Sequence, residues 1–139
     1  DIVDVKYIIP VVRGAEKLDE VIKMMQGQMQ EGKFMALVLN ATPLQQAMFP
    51  LVLAWLHLWS LTITTPTVKA LFGQAKGEER QKIISENSEA AYYSGRMLSS
   101  QFYIGAEYPK FFGRMECIMG NEGAALKVAS ENFSGAPKE

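Results

Sequence analysis

Cysteine, histidine and net charge are all scarce in this chain, and each scarcity closes off a class of function. Cys117 is the single cysteine, so no internal disulfide can form and no cysteine-rich metal site can be built. Nothing asks for an oxidising compartment, and a cytoplasmic setting is the expectation. His57 is the single histidine, and the Glu-x-x-His spacing of helical metal sites does not accompany it. A net charge of −1 lacks the basic excess that a phosphate-binding surface needs, which excludes nucleic acid as a partner. No Gly-x-Gly-x-x-Gly or phosphate-loop pattern follows a strand, and no repeat or low-complexity tract is visible. Residues 1–12 carry Asp1, Asp4 and Lys6 among apolar residues and lack the basic-then-apolar order of a signal peptide. The chain starts on Asp1 rather than Met, which reads as a mature or excised piece.

What remains is a hydrophobic chain of 139 residues, 48% apolar, enough for one domain with a packed core. Residues 1–13, β-branched and broken by Pro10, read as an extended lead-in, because no second strand-like run exists to pair with them. Residues 14–31 read as an amphipathic helix with Leu18, Val21, Ile22, Met25 and Met29 on one side, and Gly32 as its stop. Between Lys33 and Lys69 there is no charged side chain at all. A helix is expected there, starting either at Thr42-Pro43 or near Phe34 with a bend, bent again at Pro50, and either bent at Pro66 or ended near Thr64. A polar turn at residues 74–78 leads into a long helix whose core stripe reads Ile83, Asn87, Ala90, Ala91, Ser94, Leu98, Phe102 and Gly105. Pro109 should kink it, an apolar face continues through Phe111, Phe112, Met115, Ile118 and Met119, and Gly120-Asn121 makes a turn. A short last helix spans 124–133, and 134–139 read as a frayed tail. The fold class is therefore all-α, an up-down bundle of about four helices, two of them long, over residues 14–133.

Each chemistry-bearing residue also has an ordinary packing role. His57 sits among Leu56, Leu58, Trp55 and Trp59 without an acidic neighbour in sequence, which suits a buried, hydrogen-bonded histidine better than a catalytic base. Cys117 beside Ile118 reads as packing, with Arg114 on another face, and Glu86 and Glu89 as a solvated pair. No residue is assigned a catalytic or metal role. The uncharged stretch is longer than the roughly 20 residues that span a bilayer, but Asn40, Gln45, Gln46, His57 and the prolines Pro43, Pro50 and Pro66 argue against lipid burial. A helix apolar on every side must be covered on every side, so Phe49, Trp55, Trp59, Tyr92 and Phe102 are the candidate packing and interface residues. Residues 90–113 alternate small side chains (Ala91, Ser94, Gly95, Ser99, Gly105, Ala106) with large aromatics, a texture of close helix packing. Arg96 falls within it, and if buried it would need a partner such as Glu89.

This stretch carries a resemblance. It follows the form Ala-x-Tyr-Tyr-x-Gly, six residues, then Phe-Tyr, here Ala90 through Phe102-Tyr103, with Pro109 shortly after. A Trp-containing apolar helix precedes it at Leu51–Leu61, and a Gly-containing turn and short helix follow, from Gly120 to Phe133. Over residues 15–135 the chain resembles the extra C-terminal helical domain found after the catalytic region in a subset of acyl-CoA dehydrogenases. The resemblance implies a parent flavoenzyme that uses FAD and a glutamate base to oxidise the Cα–Cβ bond of an acyl-CoA thioester. It also implies transfer of electrons to an electron-transfer flavoprotein. The implied partners are the upstream catalytic domains and further copies in a homo-oligomer. None of the family's flavin-binding or base residues has a matching motif here. The implied role is structural, and the alternative is a helical module that interacts with membrane or lipid.

Overall fold

The computed structural model describes residues 2–134, and every regular element among them is helical. Helix α1 spans Val5–Gln30 and α2 spans Phe34–Phe72. A short α3, Gly77–Glu86, precedes α4, Ser88–Phe102, a π-turn over Tyr103–Glu107, and α5, Lys110–Gly120. A 3₁₀ turn over Ala124–Lys127 and a single turn α6, Glu131–Ser134, replace the expected continuous last helix. Residues 135–139 of the expected tail lie outside the described residues.

Three rods make the bundle. Gly14 meets Leu51, while Ile22 and Leu44 border one groove, so α1 and α2 run antiparallel. His57 bonds Ser100 and Asn40 bonds Asn121, so α4, the π-turn and α5 form one composite rod antiparallel to α2. The all-α, up-down reading holds. Helix α3 folds across the far end, where the Arg80 guanidinium stacks 4.0 Å from the Phe72 ring and bonds Ser94 at 3.3 Å.

Each rod buries a narrow seam at alternating spacings of three and four. On α1 it runs Val11, Gly14, Leu18, Val21, Met25 and Gln28. On α2 it includes Asn40, Ala47, Ala54, Leu61 and Val68. On the composite rod it includes Ala90, Met97, Ile104, Phe111 and Ile118, with Ser94, Tyr108 and Met115 between them. A seven-residue recurrence is the signature of left-handed helix packing. At mid-height the seam narrows. Gly14 faces Tyr108, whose ring is completely buried, stacks on Phe111 and would lie 1.6 Å from a Cβ at position 14 through its Oη. Only glycine lets α1 approach this closely.

Several expectations are corrected. Residues 5–13 are helix, not an extended lead-in: Asp4 caps the helix by accepting from the Lys6 amide at 3.0 Å, and Pro10 is absorbed inside it. Ile22 and Met29 are exposed, on the flank of the α1 seam. Helix α2 starts at Phe34 and runs through all three prolines for 39 residues, about 58 Å at 1.5 Å per residue. Pro50 has no N–H to offer the Gln46 carbonyl, and Arg114 donates to that carbonyl instead at 3.5 Å. The long helix expected from Glu78 breaks at Asn87, whose backbone is extended and whose side chain accepts from the Glu89 and Ala90 amides. A residue that caps an N-terminus is favoured over one continuing a helix when its own side chain satisfies two orphan donors. Beyond Ser94 the core stripe also departs from expectation: Leu98, Phe102 and Gly105 are exposed, and Met97, Ile104 and Tyr108 take their place. Short surface pairs, such as Lys17–Glu20 at 2.7 Å and Lys82–Glu86 at 4.0 Å, decorate the outside and are worth a few tenths of a kcal/mol, about 0.2–0.5 each.

The Gly14 contact predicts an asymmetric mutational pattern. Gly14→Ala should destabilise the fold by about 1–3 kcal/mol through overpacking. Tyr108→Phe should be nearly neutral, because the buried hydroxyl has no hydrogen-bond partner to lose. Urea unfolding followed by circular dichroism measures both, and a Gly14→Ala variant as stable as the parent chain would refute the contact.

Candidate functional site

Where α2 crosses α4, polar groups meet inside an apolar frame. His57 Nδ1 lies 3.0 Å from Ser100 Oγ, and its ring stacks on Tyr103 with centroids 4.5 Å apart at 24°. Tyr103 in turn donates its hydroxyl to the Pro50 carbonyl at 3.3 Å. Burial, and secondarily the positive charge of Arg96, hold the His57 pKa below its ordinary value of 6.5. Burial also raises the Tyr103 pKa, with Glu107 adding to it. Burial, helped by Tyr103, pushes the Tyr108 hydroxyl up to about 12. These shifts keep the cluster neutral.

The pair of His57 and Ser100 does not make a nucleophile. Ser100 is completely buried, whereas an attacking hydroxyl has to reach a substrate, and a working dyad has its base oriented by a third group. Among the described residues His57 has only the Ser100 hydroxyl and the Tyr103 ring as its hydrogen-bond and ring contacts. The histidine is hydrogen-bonded as expected from sequence, but it is half-buried rather than buried. Among the described residues no group of three or more His, Cys, Asp or Glu side chains is gathered as metal ligands would be.

Outside this cluster the α2 surface is a broad apolar face. Phe49, Trp55 and Trp59 stand exposed on it, Trp55 and Trp59 at 59% and 60%. Tyr92 and Phe102 are exposed on α4. Two of the five sequence candidates come together in one groove: Trp59 and Tyr92 line a hollow of about 310 Å³ between α2 and α4, together with Leu56, Ile63, Ser60 and Arg96. Trp55 and Trp59 border a second hollow with Leu58 and Thr62. Phe49 and Phe102 line neither.

Other sequence readings change. Cys117 is exposed, not packed, and shares a hollow with Arg114, Asn40 and Gln46. The three-residue spacing of Arg114 and Cys117 puts them on one helix face. Glu86 and Glu89 sit on separate helices because the break at Asn87 lies between them. Arg96 is exposed and does not pair with Glu89. Gly95 and Gly105 face open space, so the close helix approach lies elsewhere, at Gly14. Sequence reading passed over Gly14, although its spacing of three and four from Val11 and Leu18 places it on the α1 seam.

The three rods, the third of them a composite of α4, the π-turn and α5, define an all-helical bundle. The family model described as acetyl-CoA dehydrogenase C-terminal like matches residues 5–129, and the chain belongs to that family. No curated protein and no solved structure matches it.

The His57 environment makes a pH prediction. The folded state disfavours the imidazolium, so on acidification the unfolded chain takes the proton first. Stability from this group is complete above about 6.5, the unfolded histidine value, and is lost as pH falls below it toward the lower folded value. Unfolding free energies measured from about pH 7.5 down to about pH 5.5 should therefore fall for the parent chain and fall less for His57→Gln. Equal slopes for the two would contradict the assignment.

Proposed function

We propose that this chain is the C-terminal helical domain of a flavin-dependent acyl-CoA dehydrogenase, with a structural and assembly role and no complete active site of its own. In this reading FAD and the glutamate base belong to upstream catalytic domains, electrons pass to an electron-transfer flavoprotein, and the parent works in the cytoplasm as a homo-oligomer. Family membership supports the placement. One observation carries the assembly role. The outer face of α2 presents Phe49, Val52, Leu53, Trp55 and Trp59 to solvent along a stretch without a single charge. Extended apolar patches with aromatic anchors mark protein contacts, because their exposure is costly and Trp contributes heavily to interface energy.

A second reading has its own observation. Helix α2 is long and apolar enough to cross a bilayer, and only 22% of its most apolar window is buried within the bundle. A lipid-facing helix would use the same exposed residues. The buried seam of α2 weighs against spanning, because Asn40 and His57 hold polar partners on the composite rod at lipid depth.

Light scattering of the chain should show a concentration-dependent oligomer, and Phe49→Glu with Trp55→Glu should shift it to monomer with helix content unchanged. A monomer at all concentrations would refute self-assembly through this face, and flotation with liposomes would favour the lipid reading. With added FAD and an acyl-CoA the chain alone should retain no flavin and show no turnover. Either activity would overturn the non-catalytic assignment.

A further inference from the structure

The groove between α2 and α4 differs from the apolar face around it by one feature, a cation without a counterion. Helix α2 carries no charge before Lys69, and α4 carries only Glu89 and Arg96. Arg96 lines the groove and has no hydrogen-bond or ion-pair partner among the described residues; its field instead reaches His57. Around it stand the exposed side chains of Trp59, Ile63 and Tyr92, with Leu56 completing an apolar wall. Ser60 and Tyr93 also line the groove, and their hydroxyls have no hydrogen-bond partner among the described residues, whereas Thr64 donates to the Ser60 carbonyl at 2.9 Å. At about 310 Å³ the hollow is at the lower end of small-ligand sites, which run from about 300 to 1,000 Å³.

We propose that this groove is a binding site for an amphiphilic carboxylate, an alkyl chain ending in a carboxylate group. Arg96 takes the head group through its planar fork, the Ser60 and Tyr93 hydroxyls complete the shell of the carboxylate, and Trp59, Ile63 and Leu56 hold the chain. Charge complementarity selects the occupant. Guanidinium and carboxylate match in geometry and can pair through two parallel hydrogen bonds. A single cation in a concave apolar slot suits one anionic head, whereas an anionic membrane surface calls for a cluster of basic residues. The groove of about 410 Å³ between α1 and α2, lined by Met25, Met29 and Val38 among others, has no charged side chain to make the same choice. The site lies on the α4 side of Trp59 and does not rest on the assembly reading, whose test leaves Trp59 and Arg96 intact.

The test uses the whole chain with Trp55→Phe, so that Trp59 is the only tryptophan and reports on the groove. Dodecanoate, dodecanol and dodecyltrimethylammonium are each titrated below the concentration at which they aggregate. Dodecanoate should change the fluorescence saturably and bind at least about tenfold more tightly than the other two, the discrimination expected of one charge-assisted pair. Adding Arg96→Gln should remove that preference while leaving dodecanol binding and helix content unchanged, and Arg96→Lys should restore part of it. Equal binding of the three probes, a preference that survives Arg96→Gln, or an equal loss for all three would overturn the proposal. So would a dodecanoate response that appears only together with a doubling of mass in light scattering, which would assign the groove to a second copy.

Discussion

The bundle depends on the contact between Gly14 and Tyr108. A large aromatic side chain from the third rod occupies the space that a Cβ on α1 would fill. Leu51 of α2 closes the same spot from the third side, 3.2 Å from where that Cβ would stand. All three rods therefore meet at one level, and their spacing elsewhere follows from it. Above and below that level the α2 seam uses Ala47 and Ala54, both fully buried, so the rods stay close without a gap. The Tyr108 hydroxyl is the weak point of this arrangement, since it is buried with no partner. The ring contributes most of the packing, and its oxygen fills the space against Gly14 without contributing a hydrogen bond.

A narrow seam has a consequence for the rest of the surface. Two or so positions per seven residues go inward, and the others face out whatever their chemistry. On α1 those outward positions include many charged residues, as a solvated helix should have. On α2 they are Val52, Leu53, Trp55, Leu56 and Trp59, because the stretch from residue 34 to residue 68 holds no charge to place there. The bundle thus covers one strip of a helix that is apolar on every strip. Its exposed aromatic face is a property of the sequence meeting a three-rod architecture, and four or more rods would be needed to bury it within one chain.

The helical class and the α1–α2 hairpin were legible because they rest on periodicity and on long apolar runs, which local sequence records directly, whereas the start and end of α2 stayed open at Pro43 and Pro66. Proline was misleading at residue 10. Its missing N–H removes one bond, but the Asp4 cap and seam positions on both sides, Tyr7 and Val11, hold the helix through it. Asn87 was read as a core position because four-residue spacing from Ile83 is helical, whereas the competition between cap and helix interior is decided by a side-chain hydrogen bond that spacing does not reveal. In the stretch from Ala90 to Gly113 most of the small residues, Gly95, Ser99, Gly105 and Ala106 among them, are exposed rather than packed, and which aromatics go inward depends on the π-turn at Tyr103–Glu107. There Tyr108 N–H bonds the Tyr103 carbonyl at 2.8 Å, five residues back, and the extra residue turns Tyr108 inward. The Trp59–Tyr92 groove needed the pairing of α2 with α4, which links residues far apart in the chain.

The two neighbours of α2 are held to it by different physics. Between Ser100 and Asn121 of the composite rod, polar links recur: Asn40 with Asn121, the Gln46 carbonyl with Arg114, the Pro50 carbonyl with Tyr103, and His57 with Ser100. Each is a directional bond satisfied in one register, so sliding either rod by a residue would leave several polar groups unpaired at once. No side-chain hydrogen bond joins α1 to either neighbour among the described residues; its ring contact is Arg13 over Phe112, 5.8 Å from the centroid. Apolar packing along its seam, closest at Gly14, sets its position. The α2–α4 groove is therefore built on the pair of rods whose register is fixed by hydrogen bonds, and the wall carrying Trp59 keeps a constant relation to the wall carrying Arg96. A groove between α1 and α2 has no such tie, and its methionine lining suits a surface that can repack. Fixed geometry around one unpaired charge favours recognition of a defined head group over general apolar contact.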